Sequence, residues 1–428
     1  MTEKLCITNF CGLRKVEVEL APITLFIGPQ ATGKSVIAKA LWFFRSIAAR
    51  LISSVEDRRS STDYSAICAK SFCRSFPPQG WRGAPFSLRY ESGGGWVEVE
   101  YAGGDINPDG VGLTVRLSEG YDIILIEFEA QLTTLRSQKS EEESGKADDQ
   151  LEALRESFAT RLTALLGPWA NFQQLFIPAG RAFFAQFDSS VYATIEEGGV
   201  IDPHLASFGR LLKESQVVLE RQGFFFDDDR SKKRWSAFRA AFDAILGSQW
   251  VREDNQDYLL SSDGRKVRMP QSSSGQQEAF PLLLLLGRFW GLRHTRGRAA
   301  YVEEPEAHLF PKTQRDIVGL LARTFRARQD QMRLIVTTHS PYVLSAFNNL
   351  LHAGSLYAKA DLNEKARLSK IVPEKWTLRP GELLAYSLES GDAKSIMDAE
   401  TGLVDAQIID AVSTDLAKEF DRLLWEGK

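Results

Sequence analysis

The run Ile23-Thr-Leu-Phe-Ile-Gly28-Pro29-Gln30-Ala31-Thr32-Gly33-Lys34-Ser35, followed at once by a helical run from Val36 to Arg50, restricts this chain more than any other feature. A short apolar run of β-branched and aromatic residues reads as a buried strand. The pattern GxxxxGKS then turns the backbone so that successive N–H groups point at one anion. Gly28 and Gly33 supply conformations and a close approach that a Cβ obstructs. Lys34 places a point charge on the β/γ-phosphates and Ser35 offers its hydroxyl to Mg2+. Val36 opens the helix whose N-terminus adds partial positive charge. A Gly-containing turn also matches this pattern by accident, but here the strand, loop and helix follow in the order that phosphate binding needs.

A chain of 428 residues can bury one large core or two to three ordinary ones. Its 43% hydrophobic and 25% charged residues are those of a soluble globular protein, and a net charge of −4 gives no global basic field for nucleic acid. Cys6, Cys11, Cys68 and Cys73 are too few and too badly spaced for a disulfide framework, and no His lies near either pair to complete a zinc site. A reducing compartment is the simpler reading. The start of the chain has neither a basic n-region nor a long apolar core. The longest apolar run, Ala279 to Leu286, contains a Pro and falls short of the ~20 residues that span a bilayer. The expectation is a cytoplasmic protein with no membrane part.

Along the chain, Leu5 to Phe10 and Val16 to Leu20 alternate as two strands around Gly12, ahead of the strand Ile23 to Ile27. Ser53 to Pro85 is polar and Ser-rich, with a loop expected at Pro77-Pro-Gln-Gly80. Strand-like segments return at 85–90, 96–101, 112–117 and 121–128, as a meander whose last member enters the core. Two helical stretches flank a charged break at Lys139 to Gly145, with Leu132, Leu135, Leu151, Leu154, Phe158, Leu162, Leu165 and Leu166 at helical spacing. They predict an antiparallel hairpin, either plain surface helices or a partner-binding arm. Phe172 to Arg181 resumes the core as a strand and loop, and Asp202 to Gly247 forms a second helical insertion with a mixed-charge run, Asp227 to Trp235. A strand pair around Gly264 leads to Ser273-Ser274-Gly275-Gln276 and an apolar helix. The tail is expected to hold a short strand pair, then Pro380-Gly381, then an amphipathic helix from Ala406 to Trp425. This divides the chain into an N-terminal lobe (1–127), a helical hairpin (128–167), a core strand and loop (168–200), a second insertion (201–250), a C-terminal lobe (251–355) and a tail (356–428).

Hydrolysis of a bound nucleotide needs a metal ligand and a polarised water. The buried strand Ala299 to Val302 ends in Glu303-Glu304-Pro305-Glu306, so Glu303 is placed for the Mg2+ shell and Glu304 for the proton of the attacking water. Adjacent carboxylates after a strand are otherwise a solvated turn; the phosphate loop reverses that prior. The strand Leu334 to Thr338 ends at His339, placed to bond the γ-phosphate, where a lone His is more often structural. Ser273 to Gln276 opens a helix and so makes a second anion site beyond a plain N-cap. One subunit cannot present two cradles to one nucleotide, which implies a dimer with this segment capping the phosphate held by the partner copy.

These motifs, in this order, resemble the ABC-type ATPase head, in the branch shared with the SMC proteins and most closely the OLD-type (overcoming lysogenization defect) ATPases. The openings Asn9-Phe-Cys-Gly-Leu13 and Ile177-Pro-Ala-Gly-Arg181 and the sequence Glu303-Glu-Pro-Glu-Ala-His308 are similar to that branch in particular. The resemblance implies an α/β head with a mixed, largely parallel core sheet, an antiparallel β subdomain and helical insertions. It implies ATP and Mg2+ as ligands, with residues 28–36 at the phosphates, Ser35 and Glu303 at the metal, Glu304 as general base, His339 as switch histidine, and Ser273 to Gln276 as the signature acting across a homodimer. Glu303 stands where Asp is usual, the signature lacks its leading Leu and first Gly, and Gln173, Gln174 and Gln186 compete as the Q-loop glutamine, with Arg181 a candidate phosphate sensor. No TOPRIM nuclease pattern follows His339. Such heads pair with separately encoded effectors, a nuclease or a toxin, in two-gene anti-phage systems of the Septu or PARIS kind. Dimers, assemblies of dimers and contact with phage protein or DNA all fit that setting. The other expectation is a RecF-like repair ATPase that binds DNA through a basic patch at Arg230, Lys232, Lys233 and Arg234.

Overall fold

Strand β3 (Ile23–Ile27) is buried at every position, with Ile23, Leu25 and Ile27 in one core and Phe26 in the other. Such a strand requires partners on both edges and cover on both faces. The computed structural model supplies them; it describes residues 2–56, 64–81, 83–104, 112–137, 144–186, 202–220, 229–291, 297–328 and 331–405, with 418, 419 and 422. One edge of β3 pairs in parallel with β12 (Met332–Thr338), then β11 (Arg298–Glu303) and β7 (Gln173–Ile177). Its other edge pairs in parallel with β13 (Leu383–Glu389). Strand β14 (Asp392–Ser395) turns back antiparallel on β13 and touches β2 (Leu13–Glu19), so the sheet continues antiparallel through β1 (Glu3–Phe10), β4 (Phe86–Ser92), β5 (Gly95–Tyr101) and β6 (Leu113–Leu117). The result is an 11-stranded mixed sheet with a parallel core and an antiparallel wing, the α/β head expected from the sequence.

Helices cover both faces. On one lie α1 (Lys34–Glu56), α2 (Tyr64–Ser75) and the pair α3 (Glu119–Ser137) and α4 (Ser144–Leu166), which seal a core around Phe10, Phe72 and Trp81. A buried ion pair ties α1 to the wing: Arg45 Nε donates to Glu3 Oε1 at 2.6 Å, and Tyr90 Oη donates to the same carboxylate. The opposite face carries α6 (Pro203–Glu220), α7 (Asp229–Leu246), α8 (Ser274–Gly291), α9 (Pro311–Ala327) and α10 (Pro341–Tyr357). Short α5 (Ala182–Gln186) packs on α8. None of the described helices is long and apolar enough to cross a membrane.

The structure departs from the sequence reading at residues 121–128 and at Pro380-Gly381, and adds to it elsewhere. Residues 121–128 are helix, not strand: Tyr121, Ile124, Leu125, Phe128 and Leu132 form the buried face of α3, while Ile123 and Ile126 are exposed. The polar stretch after Ser53 holds the end of α1 and all of α2. The expected strand pair around Gly264 forms, β9 (Gln256–Leu260) with β10 (Lys266–Arg268), and a third strand, β8 (Gln249–Glu253), precedes it across a turn at Asp254-Asn255, whose φ values of 50° and 62° suit a tight hairpin. Pro380-Gly381 precedes the tail's strand pair, and that pair joins the central sheet. The helix expected over 406–425 lies almost wholly outside the described residues, as does the charged break at Lys139 to Gly145 up to residue 143, while Ser144 and Gly145 open α4.

His204, at the start of α6, packs between the rings of Trp42 and Phe176 at centroid distances of 4.5 and 4.6 Å. Neither ring nitrogen has a hydrogen-bond partner among the described residues. Burial pushes its pKa down from 6.5 to about 4; Asp202 opposes the fall, and Lys39 and Arg50 reinforce it. The unfolded chain therefore takes up a proton that the folded chain refuses. The associated stability is complete above pH 6.5 and is lost as pH falls towards 4, a swing of roughly 3 kcal/mol at about 1.36 kcal/mol per unit. In urea unfolding at a series of pH values, His204→Phe is expected to flatten this part of the acid limb.

Candidate nucleotide site

Because β3, β12, β11 and β7 are parallel and in register, their carboxyl ends share one edge of the sheet. Ile27 lies opposite Thr338, Glu303 opposite Thr337, and Val302 opposite Ile177. In parallel α/β sheets, ligands bind outside that edge. The loop 28–33, the acidic segment 303–306, His339 and the loop 178–181 all leave the sheet there.

Pro29, Gln30, Ala31 and Ser35 are exposed, and Thr32 Oγ1 closes the loop by donating to the Pro29 carbonyl at 2.9 Å. Lys34 is buried at its base, where Nζ donates to the carbonyls of Gly28 and Pro29 at 2.8 and 2.6 Å. Burial pulls its pKa down; Glu304 and Glu306 push it back up, so the ammonium feels both carboxylates. Val36 is half-buried in the first turn of α1. Gly28 must be glycine for a reason outside the motif: a Cβ there meets the Leu388 carbonyl of β13 at 2.3 Å.

Glu303 is buried; its Oε2 accepts from the Ala179 N–H at 3.2 Å, while Oε1 has no hydrogen-bond partner among the described residues. An orphaned carboxylate oxygen facing no donor fits a divalent cation, and the Ser35 hydroxyl is a suitable second ligand. Glu304 adopts a left-handed φ of 42°, which costs about 1–3 kcal/mol for a non-glycine residue and marks a constrained functional position. Its N–H donates to the Thr337 carbonyl at 2.8 Å, and its Oε1 lies 3.8 Å from His339 Nδ1. The acid and the histidine are thus neighbours.

Glu306 has a definite place. Its Oε1 accepts from Thr338 Oγ1 at 2.6 Å and from the His339 N–H at 2.9 Å, and lies 3.4 Å from His339 Nδ1. It fixes the strand end that carries the histidine. Arg181 departs from the sensor expectation: it is fully buried, and its guanidinium donates to the carbonyls of Pro178, Glu278, Glu303 and Glu304 instead of facing the loop. Gln173 and Gln174 start β7, at the edge away from the phosphate loop, where Gln174 accepts from Tyr301 Oη at 2.7 Å. Gln186 remains, bonded through Nε2 to Gln277 at 3.2 Å.

Ser273 and Ser274 are exposed at the start of α8. Ser273 Oγ accepts from the Gln276 N–H at 3.4 Å, while Gln276 Oε1 accepts from the Ser273 N–H at 3.0 Å, a reciprocal capping box. Gly275 presses on the turn after the acidic segment, where a Cβ would meet the His308 carbonyl at 2.9 Å.

Residues 23–345, which contain all of these groups, match the family described as "AAA domain, putative AbiEii toxin, Type IV TA system". The chain belongs to this AAA-domain family. The loop 28–35 lies inside the matched residues. A comparison with curated proteins gave no match. Among solved structures, the AAA domain is similar to the SMC head domain from Thermotoga maritima, with 14% identity over 92% of this chain and 98% of that chain and a TM-score of 0.35. It is also similar to the Smc head with an extended coiled coil derived from Pyrococcus furiosus, solved with the C-terminal domain of ScpA, with 12% identity, 92% and 95% coverage and a TM-score of 0.40. A third is the recombination mediator protein RecF, with 11% identity, 92% and 98% coverage and a TM-score of 0.34.

The signals for Glu306, Glu278 and the buried role of Arg181 are absent from local sequence, since each bonds to groups distant in the chain. Glu306→Ala leaves the buried Thr338 hydroxyl without its acceptor and should lower unfolding free energy by about 1–3 kcal/mol in urea titration. Glu306→Gln, which keeps an acceptor, should lose less.

Proposed function

We propose that this AAA domain binds ATP with Mg2+, dimerises around it and hydrolyses it slowly, with closure and reopening of the dimer controlling a separate effector protein. The observation that carries this reading is the convergence of Lys34, Glu303, Glu304 and His339 on one sheet edge, with Lys34 in the field of Glu304. Lys34 and the loop N–H groups hold the β/γ-phosphates, and Ser35 and Glu303 hold the metal, which neutralises charge on the phosphates. Glu304 takes the proton from the attacking water as its oxygen bonds to the γ-phosphorus and the bond to the ADP oxygen breaks. His339, oriented by Glu306, donates to the γ-phosphate.

Ser273 and Ser274 are exposed and Gly275 and Gln276 half-buried, so the start of this helix can meet a second copy, whose phosphate it would cap with helix N–H groups and hydroxyls. ATP then favours the closed dimer by the difference in its affinity for the two states. The setting that suits such a switch is a cytoplasmic anti-phage system in which the effector is a nuclease or toxin. A DNA-repair role is the second reading, favoured by the exposed Lys232 and Lys233 on α7; it requires DNA binding that weakens steeply with salt.

Glu304→Gln should retain ATP, accumulate as a dimer by light scattering and release phosphate about 100-fold or more slowly. Lys34→Ala should lose nucleotide binding in a fluorescent-ATP titration. Wild-type turnover by the Glu304 variant would remove that residue from the mechanism.

A further inference from the structure

The most heavily bonded buried charge near the site belongs to no phosphate or metal contact. Arg181 has no exposed surface, and its Nη1 donates to the Glu303 carbonyl at 2.6 Å while Nη2 donates to the Glu304 carbonyl at 2.9 Å. The same guanidinium reaches Glu278, through Nε to its carbonyl at 3.3 Å and through Nη2 to Oε1 at 3.4 Å. Glu278 is itself 1% exposed, and its carboxylate accepts from the N–H groups of Arg181 and Ala182 at 3.1 and 2.7 Å. It sits one helical turn beyond Ser274, on the helix that presents the 273–276 segment.

We infer that Arg181 and Glu278 are a positioning pair that joins the exposed N-terminus of α8 to the backbone of Glu303 and Glu304 within one subunit. The inference rests on the ATP-hydrolysing reading above and adds a relay to it. Glu304 holds a left-handed backbone at φ 42°, and its peptide has to be held from outside its own strand. Arg181 grips the carbonyls on both sides of that residue's N–H. A guanidinium serves here because its planar fork reaches several acceptors in fixed geometry, which a lysine ammonium on a flexible stem does not. The cation also lies in the field of four carboxylates, those of Glu278, Glu306, Glu303 and Glu304, and so reduces their mutual repulsion where the acidic pair must stay close to bound phosphate. A second contact runs the same way: Gly275 abuts the His308 carbonyl, just past the acidic segment. Whatever docks on Ser273 and Ser274 therefore loads a helix that is bonded, through one arginine, to the base of its own subunit. Occupancy of one site would set the orientation of Glu304 in the other.

The experiment compares the full-length wild-type chain with Arg181→Lys and Glu278→Gln in steady-state phosphate release and in equilibrium binding of a fluorescent ATP analogue. Arg181→Lys keeps the charge and loses the fork; it should lower kcat by about 100-fold, the effect of misplacing a reacting group by about 1 Å, while the analogue's Kd and the KM stay within about twofold. Glu278→Gln removes the charge and keeps one of the two oxygens that accept from the Arg181 and Ala182 N–H groups, and should lower kcat in the same direction by a smaller factor with binding unchanged. If Arg181→Lys does not fold, as read by its thermal transition, Glu278→Gln decides. Folded variants with unaltered kcat, or with KM and Kd raised in step with the loss of rate, would overturn the inference. Wild-type hydrolysis that Glu304→Gln abolishes and these variants leave untouched would defeat the relay alone; a wild-type chain that binds ATP and never cleaves it would defeat the underlying reading and the relay with it.

Discussion

Parallel pairing on both edges of β3 is the constraint on which the rest of the molecule depends. A strand with neither edge free and neither face wet has one orientation and one register available to it, because a slip of one residue would exchange Phe26 with its neighbours between two separate cores. With that register set, β12 and β11 deliver their last residues to the same edge as the phosphate loop. The site is therefore a by-product of how the sheet packs, and its precision is that of the hydrogen-bond ladder.

Charge has to be managed at this edge. Glu303 and Glu306 are buried with one carboxylate oxygen each lacking a partner among the described residues, and Glu278 is buried nearby. Buried carboxylates are tolerated when paired or hydrogen-bonded. Arg181 and Lys34 are the cations set among them, one spent on structure and the other facing the exposed loop. This division explains why an arginine next to an ATP-type loop can lie out of reach of solvent: its acceptors are carbonyls that must not move.

How much of this was legible beforehand depended on distance along the chain. Lys34, Glu303, Glu304 and His339 each follow an apolar strand within a few residues, so periodicity and motif sufficed to place them at strand ends. Residues 121–128 misled because Ile123, Ile124 and Ile126 read as a β-branched run; the buried set at helical spacing extends to Leu132, past the window that suggested a strand. Strand β13 is ordinary in local sequence, and only its pairing with β3 shows that it belongs to the centre. The clamp of Arg181 on Glu278 and on the Glu303 and Glu304 carbonyls spans 97–123 residues of sequence, beyond any local signal. Glu306 likewise bonds to Thr338 and His339, 32 and 33 residues further along the chain.

The Leu388 carbonyl that crowds Gly28 carries a consequence for biosynthesis. The strand Ile23–Ile27 leaves the ribosome well before the neighbour that covers its second edge, which begins at Leu383. At about 5–20 residues per second, the nascent chain spends roughly 20–70 s with that flank uncovered. Over this interval the half-built head has a hydrophobic strand with open backbone groups, the kind of surface that chaperones shield, and the pocket is finished only after Leu388 has emerged.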